Sequence, residues 1–185
     1  MAEIQVLDAA VERRVDPHAP IENIATGFTY TEGPVWHSQD RRLLFSDIPN
    51  DTLYVWTQDD GHKVFRKPSG QGNGNTFDRQ GRLLTCEHAN RRVSRTARDG
   101  SVETLASHYD GKRLNSPNDV ICASNGDVYF SDPPYGLRQP DGSFKGQELP
   151  CYGVFRWSAA DGKLTLLIDP HSPFAPKLRK SQFGM

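Results

Sequence analysis

The chain has 185 residues, 36% of them hydrophobic, enough to bury a real core. Its 22 basic and 23 acidic residues leave a net charge of -1, so no overall electrostatic pull toward nucleic acid or an anionic membrane is expected. Three cysteines, Cys86, Cys122 and Cys151, stand at no metal-ligand spacing and are read as reduced structural thiols.

Residues 1–20 form a leader segment with no apolar signal-peptide core, and no apolar run reaches membrane-spanning length, so a cytoplasmic protein is expected. A possible extra strand follows near Ile21 to Ala25. A cassette then begins at Glu32 (EGPVWHSQDRRLLFSDI) and recurs from Asn73 (NGNTFDRQGRLLTCE) and Asn118 (NDVICASNGDVYFSD), 41 and 45 residues apart. Each copy reads as a short apolar strand, a polar turn and a second apolar strand closing on an acid: Asp47, Glu87 or Asp132. Two more strand-like stretches complete each unit. They are Leu53 to Trp56 and Val64 to Lys67, Arg92 to Thr96 and Val102 to Ser107, and Tyr152 to Trp157 and Leu164 to Asp169. Units of four strands at this period are propeller blades, and the absence of a sustained helical period makes the chain all-β. A partial β-propeller over 21–169 is expected, with blades near 28–67, 73–107 and 116–169 and an atypical basic tail at 170–185.

In an up-and-down blade the first strand leaves one face of the disc and the second returns to it. Glu32, Asn73 and Asn118 are therefore expected to converge at a central channel. Asp47, Glu87 and Asp132 are expected on the same face but further out, in orienting roles. The long connection after Asp132 leaves from that face too and could serve as a lid or specificity loop. Trp36, Trp56 and Trp157 are expected to pack between sheets, and His88 on a blade surface. Glu32 before Gly-Pro could be a simple turn acid, and Asn73 and Asn118 could bond their own backbone. No G-x-S-x-G elbow is present, and SGQGNGN at 69–75 lacks the Lys-Ser/Thr pair of a phosphate loop.

The stretches TEGPVW (31–36), LLFSDIPN (43–50), GNTFDRQGRLL (74–84) with CEHANRRV, NSPNDV (115–120) and YFSDPPYG (129–136) resemble the gluconolactonases of the regucalcin group. That resemblance implies a six-bladed propeller whose central channel holds one divalent cation, Ca²⁺ first and Zn²⁺ or Mn²⁺ as alternatives, and which hydrolyses sugar lactones. By its pattern Glu32 and Asn118 are metal ligands. Two later motifs, which in relatives supply a further Asn and an Asp acting as ligand and general base, have no counterpart in this sequence. The chain thus reads as C-terminally truncated and its activity as impaired, with Asp132 a weak surrogate base. Asn73, Arg113, Ser116 and Tyr135 are the candidate substrate contacts. Two alternatives stay open: a non-catalytic fragment acting through exposed blade edges, and a homodimer of half-propellers that completes its own ring.

Overall fold

In a computed structural model describing residues 4–169, the chain folds into three successive four-stranded antiparallel sheets. Blade 1 comprises β1 (Thr31–His37), β2 (Arg42–Asp47), β3 (Thr52–Thr57) and β4 (Gly61–Arg66). Blade 2 comprises β5 (Gly72–Phe77), β6 (Leu83–Glu87), β7 (Arg92–Thr96) and β8 (Val102–Ala106). A small hairpin, β9 (His108–Tyr109) and β10 (Lys112–Arg113), leads to blade 3. That blade comprises β11 (Val120–Cys122), β12 (Val128–Asp132), β13 (Gly153–Trp157) and β14 (Leu164–Ile168). Each sheet runs as a meander in sequence order, as propeller blades do.

Alternation along the strands decides which blade each face meets. Leu44, Leu53 and Leu83 form the core between blades 1 and 2, with Val35, Val55, Phe65 and Phe77 packed against it. Between blades 2 and 3 a larger core gathers Leu84, Cys86, Val93, Val120, Val128, Phe130 and Phe155. The opposite faces of blades 1 and 3 are flanks. On blade 1, Phe28 lies edge-on against Phe45, Tyr54 and His62, with ring centroids 4.9–5.1 Å apart. On blade 3, Ile121 and Leu167 are exposed.

Two expectations need correction. Residues 21–25 form no strand; Ile24 and Ala25 instead lie across the blade 1 flank and line a cavity of about 250 Å³ with Phe28, Leu43 and Phe45. Trp36 pairs with Leu43 on that flank and is 51% exposed rather than packed between sheets. Of the three tryptophans, Trp157 does lean on an inter-blade core. The basic tail at 170–185 lies outside the described residues. Among the described residues no helix is long and apolar enough to cross a membrane.

The turns joining second to third strands repeat a stitch. In blade 1 the turn ends on Asp51 and in blade 2 on Arg91, both left-handed residues, with φ of 51° and 54°. The Asp51 carboxylate accepts the N–H groups of Ser69 and Gln71, ahead of β5. At the equivalent position the Arg91 guanidinium donates to the carbonyls of Leu114 and Asn115, ahead of β11. Opposite charges thus do the same job, because one reads backbone donors and the other backbone acceptors. Each fixes where the next inner strand starts, which is where the candidate site lies.

Candidate functional site

The inner strands converge at their first residues, and glycine makes this possible. A Cβ on Gly33 would overlap the Asn73 carbonyl oxygen, and one on Gly74 the Asn118 carbonyl oxygen. Gly74 N–H donates to that Asn118 oxygen at 2.8 Å, and Ser46 Oγ donates to the Asn73 oxygen at 2.7 Å. Gly33 also sits at φ 56°, a conformation glycine adopts without strain. The register breaks between Glu32 and Val35 and between Gly72 and Asn75, so both inner strands bulge where they meet the channel. Bulges of this kind re-aim side chains next to sites.

Asn73 and Asn118 touch directly. Asn73 Nδ2 donates to Asn118 Oδ1 at 2.8 Å and lies 3.2 Å from Nε2 of His88. Because the amide nitrogen can only donate, His88 Nε2 is the acceptor and carries no proton. Burial holds the His88 pKa below the ordinary imidazole value, against an opposing pull from the Asn118 amide, in keeping with a neutral ring. At its other end Asn118 Nδ2 donates to Asp119 Oδ2 at 3.0 Å. The Asn118 amide is therefore fixed at both ends, its oxygen toward Asn73 and its nitrogen toward Asp119.

Glu32 opens the neighbouring strand, half-buried, with its carboxylate 3.3 Å from its own Gly33 N–H. It also borders the flank cavity with Pro34 and Leu43. Carboxylate and amide oxygens are the donor types that a hard cation such as Ca²⁺ prefers. Among the described residues no three His, Cys, Asp or Glu side chains gather as a metal site.

The other expected residues divide. Arg113 is exposed, its guanidinium donating to the Asn90 carbonyl at 3.2 Å, two residues beyond His88. Tyr135 stands 58% exposed on a short 3-10 turn, Tyr135–Leu137, in the long connection. Ser116 is not available to substrate. It is fully buried, donates to the Pro133 carbonyl at 2.6 Å and accepts the Gly136 N–H at 2.8 Å, so its hydroxyl is used in holding the loop.

Asp132 is no surrogate base either. Its carboxylate is fully buried and turned into the blade corner, where Oδ2 accepts the Asn115 N–H at 2.7 Å. Burial raises its pKa to about 6, against the backbone N–H groups of Asn115 and Ser116 and the Arg91 charge. Asp47 plays the same role in blade 1, accepting from Thr29 and Tyr30 N–H. Nor is the long connection a loose lid. Arg91 donates to the Gly146 carbonyl at 2.8 Å, Glu148 accepts the Arg113 N–H at 2.8 Å, and Leu149 is buried.

Sequence reasoning missed His88, Asp119 and Asn75. Asn75 bridges blades 1 and 2, donating to Gly33 O and Ser46 Oγ and accepting from Thr85. His88 had a usable signal: it follows the closing acid Glu87, whose register partner Gly72 adjoins Asn73, so it returns to the channel face. It is 7% exposed there, not a blade-surface residue.

Comparison with known proteins agrees with this architecture. Residues 30–173 match the SMP-30/Gluconolactonase/LRE-like region. The chain is 38% identical over 169 residues to a gluconolactonase of Zymomonas mobilis, covering 83% of this chain and 46% of that protein. A solved gluconolactonase from Xanthomonas campestris superposes with a TM-score of 0.82 at 34% identity, over 91% of this chain and 57% of that one. The calcium-binding protein regucalcin from Agrobacterium tumefaciens shares the fold, with a TM-score of 0.56 at 15% identity over 78% and 44% of the two chains. The chain spans about half the length of the relatives it matches. On its sequence and its fold it belongs to the SMP-30/gluconolactonase/LRE-like family.

Proposed function

We propose that this chain carries part of the active centre of a cation-dependent hydrolase of sugar lactones, with Glu32 and Asn118 holding the cation. The observation that carries this reading is the fixed Asn118 amide, whose oxygen is presented at the meeting point of the inner strands by Asn73 on one side and Asp119 on the other. Ca²⁺ suits these donors first, with Zn²⁺ and Mn²⁺ as alternatives. When bound, such an ion polarises a lactone carbonyl and acidifies a coordinated water.

The protein's own groups do the rest. Glu32 supplies negative charge and Asn118 a neutral carbonyl. Asn73, buried and with its amide nitrogen given to Asn118 and His88, keeps that carbonyl in place. Arg113, on the rim, offers donors to sugar hydroxyls, and Tyr135 offers an aromatic face and a hydroxyl. Because the described residues supply two of the family's metal ligands, turnover by this chain alone is expected to be slow. A soluble cytoplasmic setting, without nucleic-acid or membrane partners, fits the near-neutral charge.

The test is acid release from glucono-1,5-lactone in Ca²⁺, Mn²⁺ or Zn²⁺. Slow, cation-dependent release that Glu32→Ala abolishes supports the reading; release unchanged by Glu32→Ala, or independent of any cation, overturns it. A second reading rests on the flanks, where Phe45 and Leu43 on blade 1 and Ile121 and Leu167 on blade 3 face away from the inter-blade cores. Two copies could close a ring there, with blade 3 of one on blade 1 of the other. A dimer mass that falls on dilution together with activity would favour that assembly over a fragment acting through its edges.

A further inference from the structure

Between the long connection after Asp132 and the amide of Asn118 the contacts are continuous. Ser116, fully buried, donates to Pro133 O at 2.6 Å and accepts Gly136 N–H at 2.8 Å, fixing the start of the loop. Gly136 then lies against the His88 ring: a Cβ there would sit 2.7 Å from His88 Cβ, 2.8 Å from its Cγ and 2.8 Å from Ser116 Cβ. His88 in turn accepts from Asn73 Nδ2, which donates to Asn118 Oδ1. Further along, Arg91 and Glu148 tie the far half of the loop to residues 113–115. The loop is thus held at both ends, and its near end bears on the His88 ring, which touches the amide pair.

We infer that His88 is a positioning residue through which the long connection, residues 133–152, sets the orientation of the Asn73–Asn118 amide pair. The physical reason lies in the symmetry of a primary amide. Its two ends differ little in shape, so only hydrogen-bond partners decide which end faces the channel. Asn118 Nδ2 has Asp119, and Asn118 Oδ1 has Asn73 Nδ2. Asn73 Nδ2 is directed by the His88 acceptor, whose Cβ and Cγ pack against Gly136. Without that acceptor, the Asn73 amide is free to turn and the Asn118 oxygen loses its partner. The amide ordering stands on geometry alone; its value for holding a cation rests on the reading under Proposed function.

The direct experiment records the side-chain amide ¹H–¹⁵N signals of Asn73 and Asn118 in the whole 185-residue chain, without cation or substrate. Dispersed, slowly exchanging signals are expected for both. His88→Leu should collapse both toward solvent-exchanging positions. His88→Gln, whose side-chain oxygen reaches close to the place of Nε2, should restore them. Gly136→Ala leaves His88 intact but pushes on it, and should shift the same two signals; this keeps the test open if His88→Leu does not fold. Mn²⁺ affinity supplies a second readout, expected to fall about 10- to 100-fold in His88→Leu and to recover in His88→Gln. Amide signals unmoved in both His88→Leu and Gly136→Ala, or a loss that His88→Gln does not restore, would overturn the inference. Wild-type protein that orders its amides yet binds no Mn²⁺ would sustain the ordering and remove the cation reading instead.

Discussion

Blades 2 and 3 each close their second strand on a fully buried carboxylate, and the two corners drive those carboxylates in opposite directions. At blade 2, Glu87 accepts from Arg92 Nε at 2.7 Å, Ser94 Oγ at 2.6 Å, Asn90 Nδ2 at 2.6 Å and Arg66 at 3.0 Å. Burial alone would raise its pKa, but these four partners together hold it below the ordinary value. At blade 3, Asp132 has the backbone N–H groups of Asn115 and Ser116 and the more distant Arg91, and there burial wins. Position in a repeat fixes where an acid sits; the company it keeps fixes what it does. The blade 2 corner is an ion-paired lock, whereas the blade 3 corner surrenders its closing turn to a 20-residue connection and keeps a carboxylate that titrates near neutrality.

The sharpest way to break this contrast is Glu87→Ala. It strands Arg66 and Arg92 in a buried corner and is expected to cost about 3–5 kcal/mol. Asp132→Ala, losing backbone partners and no ion pair, should cost less, about 1–3 kcal/mol. Urea denaturation near pH 7 measures both, and equal losses would erase the distinction.

Titration comes next. The folded pKa of Asp132, about 6, stands above its ordinary value of 3.8, so the native state holds a proton that the unfolded chain releases across this window. Its contribution to stability therefore falls as pH rises from about 4 to about 6. Asp132→Asn, uncharged throughout, should gain on wild type over the same interval by on the order of 3 kcal/mol. Glu87 has the reverse sign: its contribution is present above the ordinary glutamate value and is lost as pH falls through the lowered one. Melting curves of the two Asp132 forms from pH 4 to 7.5 decide the point; parallel curves would contradict the assignment.

The smallest effect compares blade 2 with blade 1. Asn50 and Asn90 occupy the same turn position and bond the closing acids Asp47 and Glu87 at 2.8 and 2.6 Å. Asn50→Ala and Asn90→Ala should each cost about 1–2 kcal/mol. A large difference between them in thermal melts would show that the two corners are less alike than their turns.

Much of this organisation is written in the repeat. The recurring first residues Glu32, Asn73 and Asn118, and the acids that answer them, fix three blades and place the inner strand ends on one face. Side-chain commitments are less visible. Ser116 looks like a substrate contact because it precedes Asn118, but the hydroxyl is used by a loop whose path depends on Gly136, 20 residues later. Asp132 resembles its counterparts in sequence and differs only through partners brought from Arg91 and Asn115. His88 was hidden for a related reason: the equivalent position is Ile48 in blade 1 and Pro133 in blade 3, so repetition gives no hint of function there.

The central claim is that Glu32 and Asn118 hold one cation between them, and calorimetric titration of the intact chain with Ca²⁺ or Mn²⁺ tests it most directly. One site per chain is expected, lost or weakened at least about tenfold in both Glu32→Gln and Asn118→Ala while their melting temperatures stay near wild type. Binding that survives both substitutions unchanged, or an unaltered protein that binds neither ion, would contradict it.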